Sequence, residues 1–358
     1  MLLFVERATR LHRPTSANTF SKKAFKDGVE ASDNDYVPGS EPKSQHYVHR
    51  AYLEGFVDPS TLSRGEGRLW VYIANKAPFL QRTERVAKRN YYYCFQENEQ
   101  RQFRVEHGLQ YMEDAALPVL QKACGENFRL TDDERMTLAG YVALSHVRVP
   151  TVHRTIDHIT SLFHAEQMEA FANNDQAIRQ FVEEHRRETG EDLDPLKFKE
   201  DLTGGSVVVA QKSKGWTLLQ MFRMMETIHE LIFRMHWTFM IASNEDGGFL
   251  TSDNPVSLYD PVGGPRGAIG FASTPAAYFM FPLSRKLCLV GRHWKGSEVI
   301  KLTPFEVRRI NTGAIARSDQ QVYAPFCSNK IQKIVDNAVS HKPAPRRVLI
   351  RKGHIVEE

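Results

Sequence analysis

A histidine and an arginine four positions apart, His46 and Arg50, stand in the segment QHYVHRAYLEGF at residues 45–56. Imidazole titrates closer to neutrality than any other side chain, and guanidinium is a fixed planar cation. Together they could supply a general acid/base beside an anion-binding group, with Tyr47 between them as a substrate contact. Val48, Tyr52, Leu53 and Phe56 recur at three- and four-residue steps and predict an amphipathic helix here. With His46 at its cap and Arg50 one turn on, both would face one anion. A structural alternative has His46 bonding a loop carbonyl and Arg50 pairing with a buried carboxylate such as Asp253.

A second polar block, Thr251-Ser252-Asp253-Asn254-Pro255, follows a short apolar stretch. Asn254 precedes proline and is driven to an extended backbone, and short side chains of this kind often bond their own turn. The sharper reading makes Asp253 a catalytic carboxylate or metal ligand with Asn254 beside it. No second acidic residue lies at a fixed motif distance, so the pattern lends little support to a divalent metal, and no other cofactor is indicated. Arg148 and His153 have the R-x4-H spacing of HEPN-type ribonucleases. With Arg154 and His158 they form either a basic substrate-binding cluster or an ordinary helix-junction ion network. Glu226-x-x-His229 is half of a di-iron pattern whose second half is missing. His229 and His236, about 10 Å apart on a helix, are read as core histidines rather than ligands of one ion.

Four cysteines, Cys94, Cys124, Cys288 and Cys327, are too scattered for a zinc or redox pair and read as reduced thiols. P-loop, dinucleotide, nucleophile-elbow and H-E-x-x-H patterns are missing, which lowers the standing of the enzyme classes that use them. The net charge of +4 is too slight to imply a nucleic-acid partner alone. Lys342, Arg346, Arg347, Arg351 and Lys352, however, gather with no acidic residue before Glu357. This run could track a phosphate backbone, with Arg346 and Arg347 as contacts, or be a solvated strand edge. Glu6 and Arg7 end the opening MLLFV run before a secretory segment could form, and the stretch at 231–242 contains Arg234 and His236. A cytoplasmic protein without membrane contact is therefore expected.

The elements that must position these residues are legible in outline. Residues 8–44 are polar and poor in large apolar groups, as in a tail or arm. A strand is predicted at 68–73 and helices over about 103–124, 131–149, 151–172 and 174–188. A long helix is predicted from Leu218 through Phe222, His229 and His236 to Phe239, with Phe222 buried in its seam. Short strands separated by Gly and Pro follow, with a capped helix from Thr303 and a last helix from Ser328. The class is α+β: a central helical bundle flanked by an N-terminal helix/strand element and a C-terminal mixed β region.

The QHYVHR block, the TSDNPV block at 251–256 and FPLS at 281–284 resemble, in order, the signature blocks of the DUF4238 family, a family of unknown function. Arg148-Val149-Pro150, Asn311, Ala316 and Arg317 add to the likeness, which spans about residues 45–323. His49 stands where the family usually has proline, and Ala51 where an aromatic is common. One domain like that family's is expected at 45–340, its periodicity helical over about 103–243 and β-rich over about 248–325, followed by a basic segment at 341–358. The resemblance implies kinship and no reaction. The residue types themselves point to a nuclease-like hydrolase of phosphodiesters or other anions, as in phage defence or toxin systems, with nucleic acid as the candidate partner. The competing expectation is a non-catalytic sensor or partner-binding module whose signature blocks form a structural clasp.

Overall fold

The computed structural model describes residues 43–63, 67–97, 100–125, 128–203, 214–243, 247–259, 274–339, 348–351 and 354–357. The expected tail, but for Lys43 and Ser44, and Lys342, Arg346, Arg347 and Lys352 of the basic end lie outside the described residues. Contacts divide the chain into two compact units, Met1–Pro150 with Met221–Ser340, and Thr151–Gln220 with His341–Glu358.

In chain order the first half comprises β1 (Ser44–His46), α1 (Arg50–Leu53), α2 (Pro59–Leu62), β2 (Arg68–Tyr72), β3 (Phe79–Arg82), β4 (Lys88–Asn90), β5 (Phe95–Glu97), β6 (Gln100–Gln102), α3 (Arg104–Cys124) and α4 (Asp132–Val147). After α5 (Pro150–Ala172), α6 (Asp175–Thr189), α7 (Pro195–Thr203) and α8 (Lys214–Arg234) come β7 (His236–Ile241), β8 (Thr251–Ser252), β9 (Ser257–Tyr259), β10 (Tyr278–Pro282), β11 (Leu287–Arg292) and β12 (Val299–Lys301). Then α9 (Pro304–Arg317), β13 (Val322–Ala324), α10 (Asn329–Val339), β14 (Val348–Arg351) and β15 (His354–Glu357) complete an α+β protein.

Within the first unit, the order β3-β2-β13-β8 makes one sheet and β12-β7-β11-β10-β9 another. The first sheet is antiparallel, with Tyr323 opposite both Val71 and Thr251, so strands from three distant stretches share one layer. Both α4 and α9 start with a complete capping box, Thr131 with Glu134 and Thr303 with Glu306, as their sequences predict. Helix α4 is buried at every position from Leu138 to Val147, so it runs through the core rather than over it.

Two local expectations are corrected. The predicted helix near Tyr47 is instead β1, antiparallel to β4 with His46 opposite Lys88, and helical turns begin only at Arg50. Tyr47 N–H bonds the Ala87 carbonyl, and the buried Gln45 side chain accepts from Tyr93 N–H. Those cross-chain bonds outweigh a local helical period. The long helix to Phe239 likewise stops at Arg234, and β7 starts at His236, which is exposed. Trp237, Thr238 and Phe239 are all buried in a central strand, and a continuous apolar run has no period that separates helix from strand. Phe222 is half-buried rather than core. His229 is buried, with Nε2 3.1 Å from the Met136 carbonyl oxygen.

The three signature blocks meet at one hydroxyl. Tyr52 donates to the Pro282 carbonyl at 2.7 Å and accepts from Thr251 Oγ1 at 2.7 Å, while its ring stacks on Phe281 at 5.0 Å. Arg285 N–H then bonds the Gly55 carbonyl, and a Cβ on Gly55 would lie 3.3 Å from the Leu283 oxygen, so the turn packs against backbone.

In the second unit, the Asn174 side chain caps α6 through Gln176 and Ala177 N–H, and Gly190 at φ +79° ends it. Phe181 of α6 stacks on Phe198 of α7 at 5.2 Å. Strands β14 and β15 form an antiparallel pair with Arg351 opposite His354. Among the described residues, no helix is long and apolar enough to cross a membrane.

Because the Tyr52 hydroxyl joins blocks some 200 residues apart, Tyr52→Phe should cost about 1–3 kcal/mol, read as a lower urea midpoint at unchanged slope. An unaltered midpoint would show that the hydroxyl ties nothing together.

Candidate functional site

Arg148 caps the C-terminus of α4 and is 2% exposed. A guanidinium so placed must find acceptors for its N–H groups, since burying an unpaired charge costs several kcal/mol. Glu113 of α3 pairs with Nη1, the His46 carbonyl of β1 accepts from Nη2, and Tyr93 Oη lies 3.2 Å from Nε. Tyr93 in turn donates to the Arg148 carbonyl at 3.0 Å, and its ring carries the guanidinium at 5.6 Å. The Glu113 carboxylate holds Arg148 firmly in its charged form despite burial.

Around this ion pair stand groups that are neither fully buried nor ordinary. His49 Nδ1 is 3.0 Å from Tyr141 Oη and 3.9 Å from Glu113, and burial lowers its pKa. Burial also lowers that of His46, helped by Lys88 and Arg148. The His46 ring bonds the Glu84 backbone, and its Nε2 has no hydrogen-bond partner among the described residues. Glu106, two turns before Glu113 on α3, is pushed up to about 7 by burial, against the pull of Arg148 and with the push of Glu113. Its Oε2 and the Gln45 Nε2 are also without described partners. The cluster therefore holds imidazoles that burial keeps neutral and a carboxyl able to give a proton close to neutrality.

The sequence-predicted residues separate. Arg50 does not pair with Asp253: its side chain is 58% exposed and lies 3.8 Å from Glu54 and 3.9 Å from Glu84. Tyr47 is buried, edge-on to Tyr92 at 5.9 Å, hydrogen-bonded to Tyr323 and under the guanidinium of Arg89 at 5.8 Å. Its acidity is weakened by burial first and by the charge of Asp253 next, so the two blocks are electrostatic neighbours.

Asp253 is 1% exposed, and its carboxylate accepts from the backbone N–H groups of Asp319, Gln320 and Gln321 at 2.7, 2.7 and 2.9 Å. Burial raises its pKa to about 6 although those three donors oppose the shift. Asn254 Nδ2 donates to the Arg317 carbonyl at 3.0 Å, and Ser252 Oγ accepts from Asn254 N–H at 3.1 Å. The block organises the turn that leads into β13. His153 and Arg154 lie on α5 in the second unit, whereas Arg148 belongs to the first. Arg346 and Arg347 lie outside the described residues.

Sequence reasoning passed over Glu106, Glu113 and Tyr93. The two glutamates are seven residues apart and flank the apolar stripe Val105, Leu109, Met112 and Ala116, so their spacing alone places them on one helix face. Among the described residues, no group of three or more His, Cys, Asp or Glu side chains stands ready to hold a metal ion. All four cysteines are free, and Cys124 and Cys288 are held up at about 11 and about 12 by burial.

A buried arginine–glutamate pair ringed by titratable groups, within an α+β frame closed by three signature blocks, now has a kinship to be set beside it. The family model for "Protein of unknown function (DUF4238)" matches residues 44–325, and the chain belongs to that family. No curated protein and no solved structure matches the chain.

Glu113→Gln removes the counter-charge of Arg148 and should cost about 3–5 kcal/mol in denaturant unfolding. Glu106 carries a further consequence. A carboxyl raised from 4.5 to about 7 binds its proton more tightly in the folded state, so its contribution falls as pH rises from about 4.5 to about 7. Glu106→Gln should flatten that fall and raise the thermal midpoint at pH 8; equal pH profiles for the two proteins would contradict the shift.

Proposed function

We propose that this protein is a nuclease-like hydrolase acting on a phosphodiester or related anionic substrate, with His46 as the proton-transferring residue. The observation that carries the reading is the concentration of His46, His49, Glu106 and Glu113, all half-buried residues, around one buried guanidinium. Burial lowers the two imidazoles and raises the Glu106 carboxyl to about 7, and perturbed titratable groups gathered in one cluster are typical of acid/base sites. His46 would take the proton of the attacking water or hydroxyl at Nε2, and Glu106 would return one to the leaving oxygen.

Arg148 is committed to Glu113, so the substrate's charge falls to exposed cations. Lys88 and Arg89 of β4 lie opposite His46 and Gln45, and Arg50 is exposed. Tyr47, beneath Arg89, supports that rim rather than touching substrate. Asp253 and Asn254 act as a clasp that holds the frame, outside the chemistry. His153 and Arg154, with the basic end, are further candidate contacts for a long polymer. Nucleic acid in the cytoplasm, cut in a defence or toxin setting, is the substrate this reading favours.

A second reading has its own support. Asp253, Tyr52 and Arg148 have their charges and hydrogen bonds met internally, as a non-catalytic sensor or partner-binding module would need.

Cleavage of RNA and DNA, with and without Mg²⁺ or Mn²⁺, separates the two. His46→Ala should lower the rate by about 10²–10⁴ with the fold retained. The reaction needs His46 neutral and Glu106 protonated, so it should peak between the lowered imidazole pKa and about 7, with Glu106→Gln losing activity across the range. Wild-type protein that cleaves neither polymer would leave the binding-module reading in its place.

A further inference from the structure

The first unit contains a cavity of about 820 Å³, within the usual range for small-molecule sites. It lies beside the start of α4, whereas Arg148 caps the other end. Thirteen residues separate Arg135 from Arg148, about 20 Å at 1.5 Å per residue. The cavity is thus a place apart from the acid–base cluster.

Its walls combine aromatic faces with cations. Phe128 and Phe239 stack at 5.3 Å, and Trp237 donates its indole N–H to the Ile232 carbonyl, which fixes the ring. Arg135 lies over Trp237 at 4.0 Å from the ring centroid. Its Nη2 bonds the carbonyls of Phe233 and Met235, and among the described residues Nε and Nη1 have no acceptor and the guanidinium no ion pair. Arg129 and Lys295 also line the space, against the single carboxylate of Glu298. A guanidinium held over an indole, with donors to spare, presents the planar fork that suits phosphate. Neighbouring rings offer a stacking face for a planar base.

We propose that this cavity binds a mononucleotide, its base against the Phe128, Trp237 and Phe239 walls and its phosphate toward Arg135 and Lys295. Arg135 and Lys295 together suit a phosphate, and the volume admits ring, sugar and phosphate together. A free phosphate would leave the aromatic walls unused, and an uncharged nucleoside would leave the cations unused.

Titration calorimetry of the full chain at low salt with adenosine 5′-monophosphate, adenosine and inorganic phosphate tests this. The monophosphate should bind about tenfold or more tighter than either fragment, a gap of about 1.4 kcal/mol. Lys295→Glu, on an exposed loop, should weaken it by about fivefold or more without moving the thermal midpoint, since exposed charges add about 0–1 kcal/mol to stability. Phe128→Ala should weaken it as well, and His46→Ala should leave it unchanged. No binding of the monophosphate, phosphate binding as tightly, or an affinity that falls in His46→Ala and not in Lys295→Glu would each overturn the proposal.

Discussion

Removing the Arg148 guanidinium from water is the constraint on which much of the first unit depends. A buried charge is tolerated only when its donors are met and its field is balanced, and the partners come from separate segments: a carbonyl from β1, a carboxylate from α3 and a phenol from the loop between β4 and β5. Each partner fixes its element against the end of α4. The strand at 44–46, which local period would make helical, is held extended in part because its His46 carbonyl serves this cation. The same field reaches outward. It lowers the imidazoles of His46 and His49 in concert with burial, and it restrains a Glu106 that burial alone would push further.

The second polar centre works differently. Asp253 spends both oxygens on three consecutive backbone N–H groups, which shapes the turn into β13 and aligns that strand between β2 and β8. Beside it, the hydroxyl of Tyr52 locks the first block to Thr251 and Pro282. These groups have little capacity left for a substrate. Around Arg148, by contrast, His46 Nε2, Glu106 Oε2 and Gln45 Nε2 retain unused valence among the described residues. These are buried atoms, and buried polar atoms are otherwise nearly always paired, so three gathered around one guanidinium mark this cluster out from the closed bonds of Asp253 and Tyr52.

Helix caps, the α+β class and the family kinship were legible in the residues because each depends on short-range information: Thr131 with Glu134, Thr303 with Glu306, and ordered blocks of fixed spelling. The histidine reading of His229 as a bonded core residue also rested on local pattern, its place on the apolar seam. The partners of the charges were not legible. Arg50 and Asp253 look complementary in the sequence, yet Arg50 is exposed beside Glu54 and Glu84, and Asp253 bonds main chain alone.

Sequence by itself thus determined the kinds of element, the caps that start them and the blocks that mark the family. Only tertiary structure decided which arginine is buried, which glutamate answers it, and that residues 44–46 and 236–241 are strands. The physical reason is that local periodicity reports one face of an isolated segment. A buried charge and a central strand are set by what packs from elsewhere, where desolvation makes a missing partner cost more than any local preference can return.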